Sequence, residues 1–257
     1  MEAELLLARA FGRDRVWLFA HLDDAVGDAE SLQRFETWLS ARQAGQPVAY
    51  LLGQREFYGR EFLVTPDVLI PRPETELLID LALGLDLPAD CTVVDIGAGS
   101  GCIALTLAAE RPDWQVCASD VSASALAVAN DNLGKLGLER VGLFQGSLYE
   151  PFIGRRFDLI VSNPPYVAAG DPHLELGDVR FEPEIALSSG EDGLATIRAL
   201  VEQAHRFLNP GGWLLLEHGY DQGPAVVALL EQAGFIETAC CRDLAGIDRV
   251  SMGRMAD

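Results

Sequence analysis

The chain of 257 residues is short of positive charge: only Lys135 is a lysine, 19 basic residues face 39 acidic ones, and the formal net charge is −20. That balance argues against broad phosphate-backbone binding, which needs a basic face. The acidic excess suits a basic protein partner, and it also serves simple solubility. Cysteine is scarce as well. Cys91, Cys102, Cys117, Cys240 and Cys241 are odd in number, hold no CxxC pair, and include neighbours poorly placed to bridge one another. That argues against a disulfide framework and for reduced thiols in the cytoplasm. No apolar run reaches membrane-spanning length, no signal peptide opens the chain, and no repeat or low-complexity tract is visible. His173 shows no metal-ligand spacing with His205 or His218, so no metal is expected.

What is present is an ample core, with 49% hydrophobic and 23% charged residues, in a chain long enough for one large or two modest domains. Residues 1–53 read as a small helical domain. Leu5, Leu6, Leu7 and Phe11 give one apolar face before Gly12, and Val16, Trp17 and Leu18 begin a short segment. Ser31 has the position of an N-cap ahead of Leu32, Phe35, Trp38 and Leu39, and 48–52 allows one more turn after Pro47. Residues 54–76 change period. Phe57, Tyr58, Phe62, Val64, Val68 and Ile70, broken by Gly59 and Pro66, read as a hairpin and linker, with Pro73 opening the next helix.

Residues 77–257 form the second domain, and from residue 91 its pattern is α/β. Strands are expected over 91–96, 115–119, 141–145, 158–162 and 212–217, with helices over 102–110, 124–133, 197–208 and 224–233 between or after them. Strands at 235–241 and 249–255 close the chain, and can be antiparallel to each other. Alternating strand and helix predicts a mostly parallel sheet covered on both faces. The stretch 167–192 has no regular period, as a lid or a connector would.

One corner organises this half. Leu159, Ile160 and Val161 form an apolar run that stops at Asn163-Pro164-Pro165-Tyr166. Two prolines cannot donate to a sheet ladder, and the residue before a proline is held extended. Asn163 is therefore presented rigidly at a strand's carboxyl end, the edge where open α/β sheets bind ligands. An Asn oxygen, the Pro164 carbonyl and the Tyr166 ring suit a planar group that bears NH2. The second signal is the turn Gly97-Ala98-Gly99-Ser100-Gly101 after Asp95. Its third glycine falls one position early for a dinucleotide fingerprint. Asp120, at the end of the next strand, can accept hydrogen bonds from ribose hydroxyls or cap a helix, with Ser122 as competitor. Early glycine, preceding acid and proline corner together favour S-adenosylmethionine over NAD.

These residues resemble the PrmC/HemK family of protein-glutamine N5-methyltransferases, which modify class I peptide chain release factors. The resemblance spans nearly the whole chain. It rests on Arg55-Glu56-Phe57-Tyr58, Leu69-Ile70-Pro71-Arg72-Pro73-Glu74-Thr75-Glu76, Asp95-Ile96-Gly97-Ala98-Gly99-Ser100-Gly101, Asn163-Pro164-Pro165-Tyr166, Arg180-Phe181-Glu182-Pro183 and Leu216-Glu217-His218-Gly219. It implies a Rossmann-like methyltransferase domain with a seven-stranded mixed sheet, behind a small N-terminal helical domain that recognises substrate and a β-hairpin linker. Asp95, Gly97, Ala98, Gly99, Ser100, Gly101, Asp120, Leu148 and Asn163 would line the S-adenosylmethionine site, with S-adenosylhomocysteine as product. Asn163, Pro164, Pro165 and Tyr166 would hold the glutamine, with Asn163, Pro164 and Tyr166 at the reacting amide. The family commonly has an aromatic residue where Leu148 stands, and usually one more helix ahead of the segment matching 2–11. A cytoplasmic monomer is expected, acting on a protein and without direct nucleic-acid contact. An adenine-N6 nucleic-acid methyltransferase shares the Asn-Pro-Pro-Tyr corner and is the rival reading; the net charge speaks against it. A non-catalytic nucleotide-binding protein and an NAD oxidoreductase are the others. His218 is expected to be a satisfied histidine rather than a base, and Glu217 to orient cofactor or cap a helix.

Overall fold

The computed structural model describes residues 1–21 and 28–257. The chain opens with α1 (Glu2–Ala10), α2 (Arg15–Ala20), α3 (Ala29–Gln43) and α4 (Val48–Leu52). An antiparallel hairpin follows, β1 (Gln54–Phe57) with β2 (Arg60–Leu63). One 3-10 turn, Pro73–Thr75, leads into α5 (Glu76–Gly84). The remaining elements are β3 (Thr92–Ile96), α6 (Cys102–Glu110), β4 (Gln115–Asp120), α7 (Ala123–Leu136), β5 (Gly142–Gln145), β6 (Phe157–Ser162), α8 (Ala195–Ala204), β7 (Leu208–Glu217), α9 (Gly223–Gln232), β8 (Ile236–Arg242) and β9 (Asp248–Arg254).

Among the described residues the large sheet has seven strands in the order β5-β4-β3-β6-β7-β9-β8. The first five are parallel, whereas β9 runs antiparallel to both β7 and β8. Strand order reverses between β3 and β6, the switch point at which such sheets take ligands. Because successive side chains point to opposite faces, β3, β6 and β7 feed two cores in alternation. Val93, Leu159, Val161 and Leu215 pack under α5 and α6, while Val94, Ile160, Leu214 and Leu216 pack under α8 and α9. All eight are fully buried, which is why these strands read as continuous apolar runs.

Three expectations need correction. Ser31 does not cap α3. Asp28 does, accepting the Ser31 amide at 2.6 Å, and Ser31 lies inside the first turn. Of the stripe that follows, Leu32 is exposed and Phe35, Trp38 and Leu39 are half-buried. The helix expected over 197–208 ends at Ala204, and Leu208 already pairs with Phe157 as the first residue of β7. Asn209, Pro210, Gly211 and Gly212 look like a turn, but they form an irregularity inside the strand, after which Leu159 pairs with Trp213. The stretch 167–192 is three short 3-10 turns, closed on itself by a bridge between Val167 and Ser188.

Candidate active site

The glycine turn leaves β3 and doubles back onto β4. The Gly97 and Ala98 amides both donate to the Ser119 carbonyl, at 2.8 and 2.9 Å. Gly97 and Gly99 adopt φ of 82° and 53°, and a Cβ built on either would meet nothing within 4 Å. That open space belongs to a cavity of about 550 Å³, bounded by the turn, Asp120, Leu148, Asn163 and the two prolines of the corner. The size is ordinary for a nucleotide-like ligand.

Asp120 stands at the carboxyl end of β4. One of its oxygens accepts the Gly99 amide and the other the Ser122 amide, each at 2.9 Å. Ser122, not Asp120, caps α7. A carboxylate has about four acceptor positions, so two remain for a ligand diol. Leu148 reaches the cavity with φ of 49°, a left-handed conformation that costs a non-glycine residue about 1–2 kcal/mol. Asp95 lies beneath the turn rather than on the cavity wall. It is fully buried, accepts the Ala104 amide with one oxygen, and leaves the other without a partner. Burial pushes its carboxyl up to about 7.

Asn163, Pro164 and Pro165 line the same cavity. Asn163 also lines a second one of about 220 Å³, with Tyr166, Arg72, Leu174, Val179 and Leu187 among its walls. The Asn163 Nδ2 donates to Thr75 Oγ1 at 3.2 Å, which leaves its oxygen for another group. No backbone N–H among the described residues donates to the Pro164 carbonyl. Tyr166 Oη donates to Glu217 at 3.4 Å, and the Tyr166 carbonyl is held by Gln222 Nε2 at 3.0 Å. The corner is buttressed by Gly193, where a Cβ would stand 2.2 Å from the Tyr166 carbonyl oxygen. His218 is fully buried and satisfied by Ser251 at 2.8 Å and Gly219 at 2.9 Å, as expected of a structural histidine.

Some residues around these cavities carried no single-residue signal. Pro183, Ile185 and Ala186 from the irregular stretch, with Thr196 and Ala199 of α8, wall the larger cavity. Arg72 pairs with buried Glu182, whose other oxygen accepts the Ile70 amide at 3.2 Å. That ties the linker to the stretch above the corner. Burial raises the Glu182 carboxyl, and Arg72 pulls against that shift. The sequence does bear a trace of this pair, since Arg72 and Glu182 each sit beside a proline. Among the described residues no group of three or more His, Cys, Asp or Glu could hold a metal, and no helix is long and apolar enough to cross a membrane.

Two family models match the chain: the PrmC N-terminal domain over residues 1–53 and the methyltransferase small domain over residues 74–181. The chain is 49% identical over 255 residues to the release factor glutamine methyltransferase of Xylella fastidiosa, covering 99% of this chain and 92% of that protein. To the Pseudomonas aeruginosa protein of that description it is 48% identical over 256 residues, 100% of this chain and 92% of the relative. Among solved structures, a methyltransferase from Pyrococcus furiosus superposes with a TM-score of 0.60 at 17% identity, over 86% of this chain and all of that one. A Thermus thermophilus 16S rRNA methyltransferase, solved with AdoMet and guanosine, gives 0.55 at 24%, over 79% of this chain and 49% of the other. At those identities the likeness is one of fold. The mixed seven-stranded sheet is thus the Rossmann-like methyltransferase fold, and by identity along its length the chain belongs to the release factor glutamine methyltransferase family.

Proposed function

We propose that this enzyme transfers a methyl group from S-adenosylmethionine to the side-chain amide nitrogen of a glutamine in class I peptide chain release factors. The observation that carries the reading is Asn163, which stands in the wall of both cavities with its oxygen unspoken for. The larger cavity fits the cofactor, because the space a Cβ would fill beside Gly97 and Gly99 is open and Asp120 keeps spare acceptor positions for ribose hydroxyls. Ala98, Ser100 and Gly101 complete the turn, and Leu148 would pack on the base. Asp95 would act from below, holding the turn through the first residues of α6. Bound there, the cofactor supplies a methyl already activated on a sulfonium, so no strong base is required before attack.

The chain's own residues deal with the poor nucleophile. An amide nitrogen shares its lone pair with the carbonyl. Where the two cavities meet at Asn163, its Oδ1 and the carbonyl of Pro164, a residue of the larger cavity's wall, accept the two amide hydrogens, aim the nitrogen toward the cofactor, and favour its pyramidal form. Tyr166 lies against the amide plane, and Pro165 keeps the corner stiff. A space of about 220 Å³ suits one slender side chain rather than a flipped nucleobase with its sugar. The proton leaves to solvent after transfer.

Residues 1–53 would dock the release factor, 54–76 would link, and 77–257 would carry the chemistry. The net charge of −20 favours a basic partner surface. The site of action is the cytoplasm and the protein works as a monomer. The test is incubation with labelled S-adenosylmethionine and purified release factor, followed by peptide mass mapping of the labelled residue. Asn163→Ala should lower kcat by about 100- to 1,000-fold while the S-adenosylmethionine Kd stays within about threefold. Label on a residue other than glutamine, or full turnover by the variant, would end the proposal.

A further inference from the structure

Behind the corner runs a buried chain of polar groups. Asn163 Nδ2 donates to Thr75 Oγ1 at 3.2 Å, and Thr75 is 2% exposed. Next to Thr75 lies Glu217, at the carboxyl end of β7 and 1% exposed. One Glu217 oxygen accepts Tyr166 Oη at 3.4 Å, and its Oε2 has no hydrogen-bond partner. Nothing in the proposed methyl transfer uses this carboxylate directly.

The chain has a direction. A side-chain amide has a donor end and an acceptor end of nearly equal shape, and a flip exchanges them. Which end faces the smaller cavity decides whether Asn163 can accept hydrogens from a substrate amide. A threonine hydroxyl has a single hydrogen. Among the described residues the Thr75 hydrogen has no acceptor in the hydrogen-bond network, and Glu217 Oε2 has no donor; once that hydrogen is given to Oε2, Thr75 can only accept from Asn163, so Nδ2 points inward and Oδ1 outward. If Glu217 becomes a donor, the Thr75 hydrogen is free to turn to Asn163, and the amide can flip. It would then meet the substrate donor to donor.

We propose that Glu217, acting through the Thr75 hydroxyl, is a positioning residue that fixes the polarity of this chain and keeps Asn163 Oδ1 turned toward the substrate amide. The inference deepens the proposed function and rests on it. It also gives the Ile-Pro-Arg-Pro-Glu-Thr-Glu segment a task, since that segment delivers Thr75 to a corner 88 residues away. Polarisation by the carboxylate should in addition make the Asn163 oxygen a better acceptor.

The switch falls within reach of ordinary buffers. Burial raises the Glu217 carboxyl to about 7, opposed by Thr75, Arg249 and Tyr166 and reinforced by Glu74. Cys102 also faces it, its thiol pushed up to about 12 by burial. His218 is turned away onto Ser251. Protonating Glu217 makes it a donor, so turnover should fall on the acid side.

The test compares wild type with Glu217→Gln, Thr75→Val and Thr75→Ser. Glu217→Gln and Thr75→Val should each lower kcat about tenfold or more, with KM for the release factor and Kd for S-adenosylmethionine within about threefold. Thr75→Ser, which restores the hydroxyl, should recover most of the loss. Wild-type kcat should show an acid limb with a midpoint near 7 that Glu217→Gln lacks. A second readout needs no turnover: the side-chain NH2 signals of 15N-labelled Asn163, assigned by their loss in Asn163→Ala. They should shift with that same midpoint in wild type and stay fixed in Glu217→Gln. A Glu217→Gln enzyme with wild-type kcat and pH profile overturns the proposal, as do Asn163 signals indifferent to both pH and substitution. A wild type that transfers no methyl group defeats the proposed function instead, and the Asn163 titration still decides the positioning role.

Discussion

The helical region and the sheet region of this protein are built to different standards. In the sheet, neighbouring residues of β3, β6 and β7 enter two separate cores and none of Val93, Val94, Leu159, Ile160 or Val161 keeps any exposed surface. In the helical region α1 buries Leu6, Ala8 and Ala10, but α2 buries nothing, and Val16 and Phe19 are 75% and 58% exposed. The residue that α3 buries is Ser31, a polar one. The difference fits the two duties proposed for these regions. A reacting geometry requires a stiff frame, whereas a docking surface keeps apolar groups at hand for a partner. The regions still touch. Arg42 of α3 pairs with Asp178 at 2.7 Å, Arg180 donates to the Ala44 carbonyl at 2.8 Å, and Tyr50 Oη donates to the Val68 carbonyl at 2.7 Å.

The contrast can be broken by substitution. The largest effect belongs to Ile160→Ala, which removes a side chain packed on all sides and should cost about 2–5 kcal/mol in urea denaturation. Next is Asp95→Asn. The folded-state pKa of Asp95 is raised from 3.8 to about 7, so the native protein keeps a proton that the unfolded chain releases. The stability from that proton is present below about pH 4 and is lost as pH rises toward 7, at up to about 1.4 kcal/mol per pH unit. Asn cannot ionise, so the variant should show a shallower decline between pH 5 and 7.5. The part due to Glu217, which shifts in the same direction, should remain.

Smaller effects are expected where the regions meet. The Arg42–Asp178 pair is partly exposed, so it is worth under about 1 kcal/mol. Arg42→Ala should raise KM for the release factor about threefold and leave kcat within about twofold. Smallest of all, Phe19→Ala should change stability by no more than about 0.5 kcal/mol, while weakening association with the release factor in a pull-down or calorimetric titration. If Phe19→Ala destabilises as much as Ile160→Ala, Phe19 belongs to a packed core and the contrast with the sheet fails.

Much of this was legible in the order of residues. Strands buried on both faces show as unbroken apolar runs, and Asn163-Pro164-Pro165-Tyr166 declares its own rigidity through two fixed φ angles. The glycine turn and Asp120 could be joined because a βαβ unit puts consecutive strands side by side. Contacts across the fold were not legible. Nothing near Thr75 says that Asn163 will lean on it, and Glu217 read as a cap or a cofactor ligand. Local rules also misled where two candidates competed. Asp28 lies three residues ahead of Ser31 and took the cap, and the Asn209-Pro210-Gly211-Gly212 run obeys turn statistics yet sits within β7 because Phe157 and Leu159 supply partners on either side of it.

Asn163 directly follows β6 and the glycine turn directly follows β3, and these two strands are adjacent in the sheet. Adjacent strands lie about 4.8 Å apart. The gap across which an alkyl group would travel in the proposed transfer is therefore anchored on both sides by the lattice of peptide hydrogen bonds. Surface segments and the N-terminal helices lie outside that ladder. A new client protein could be acquired by rebuilding the periphery while the donor and acceptor keep their separation.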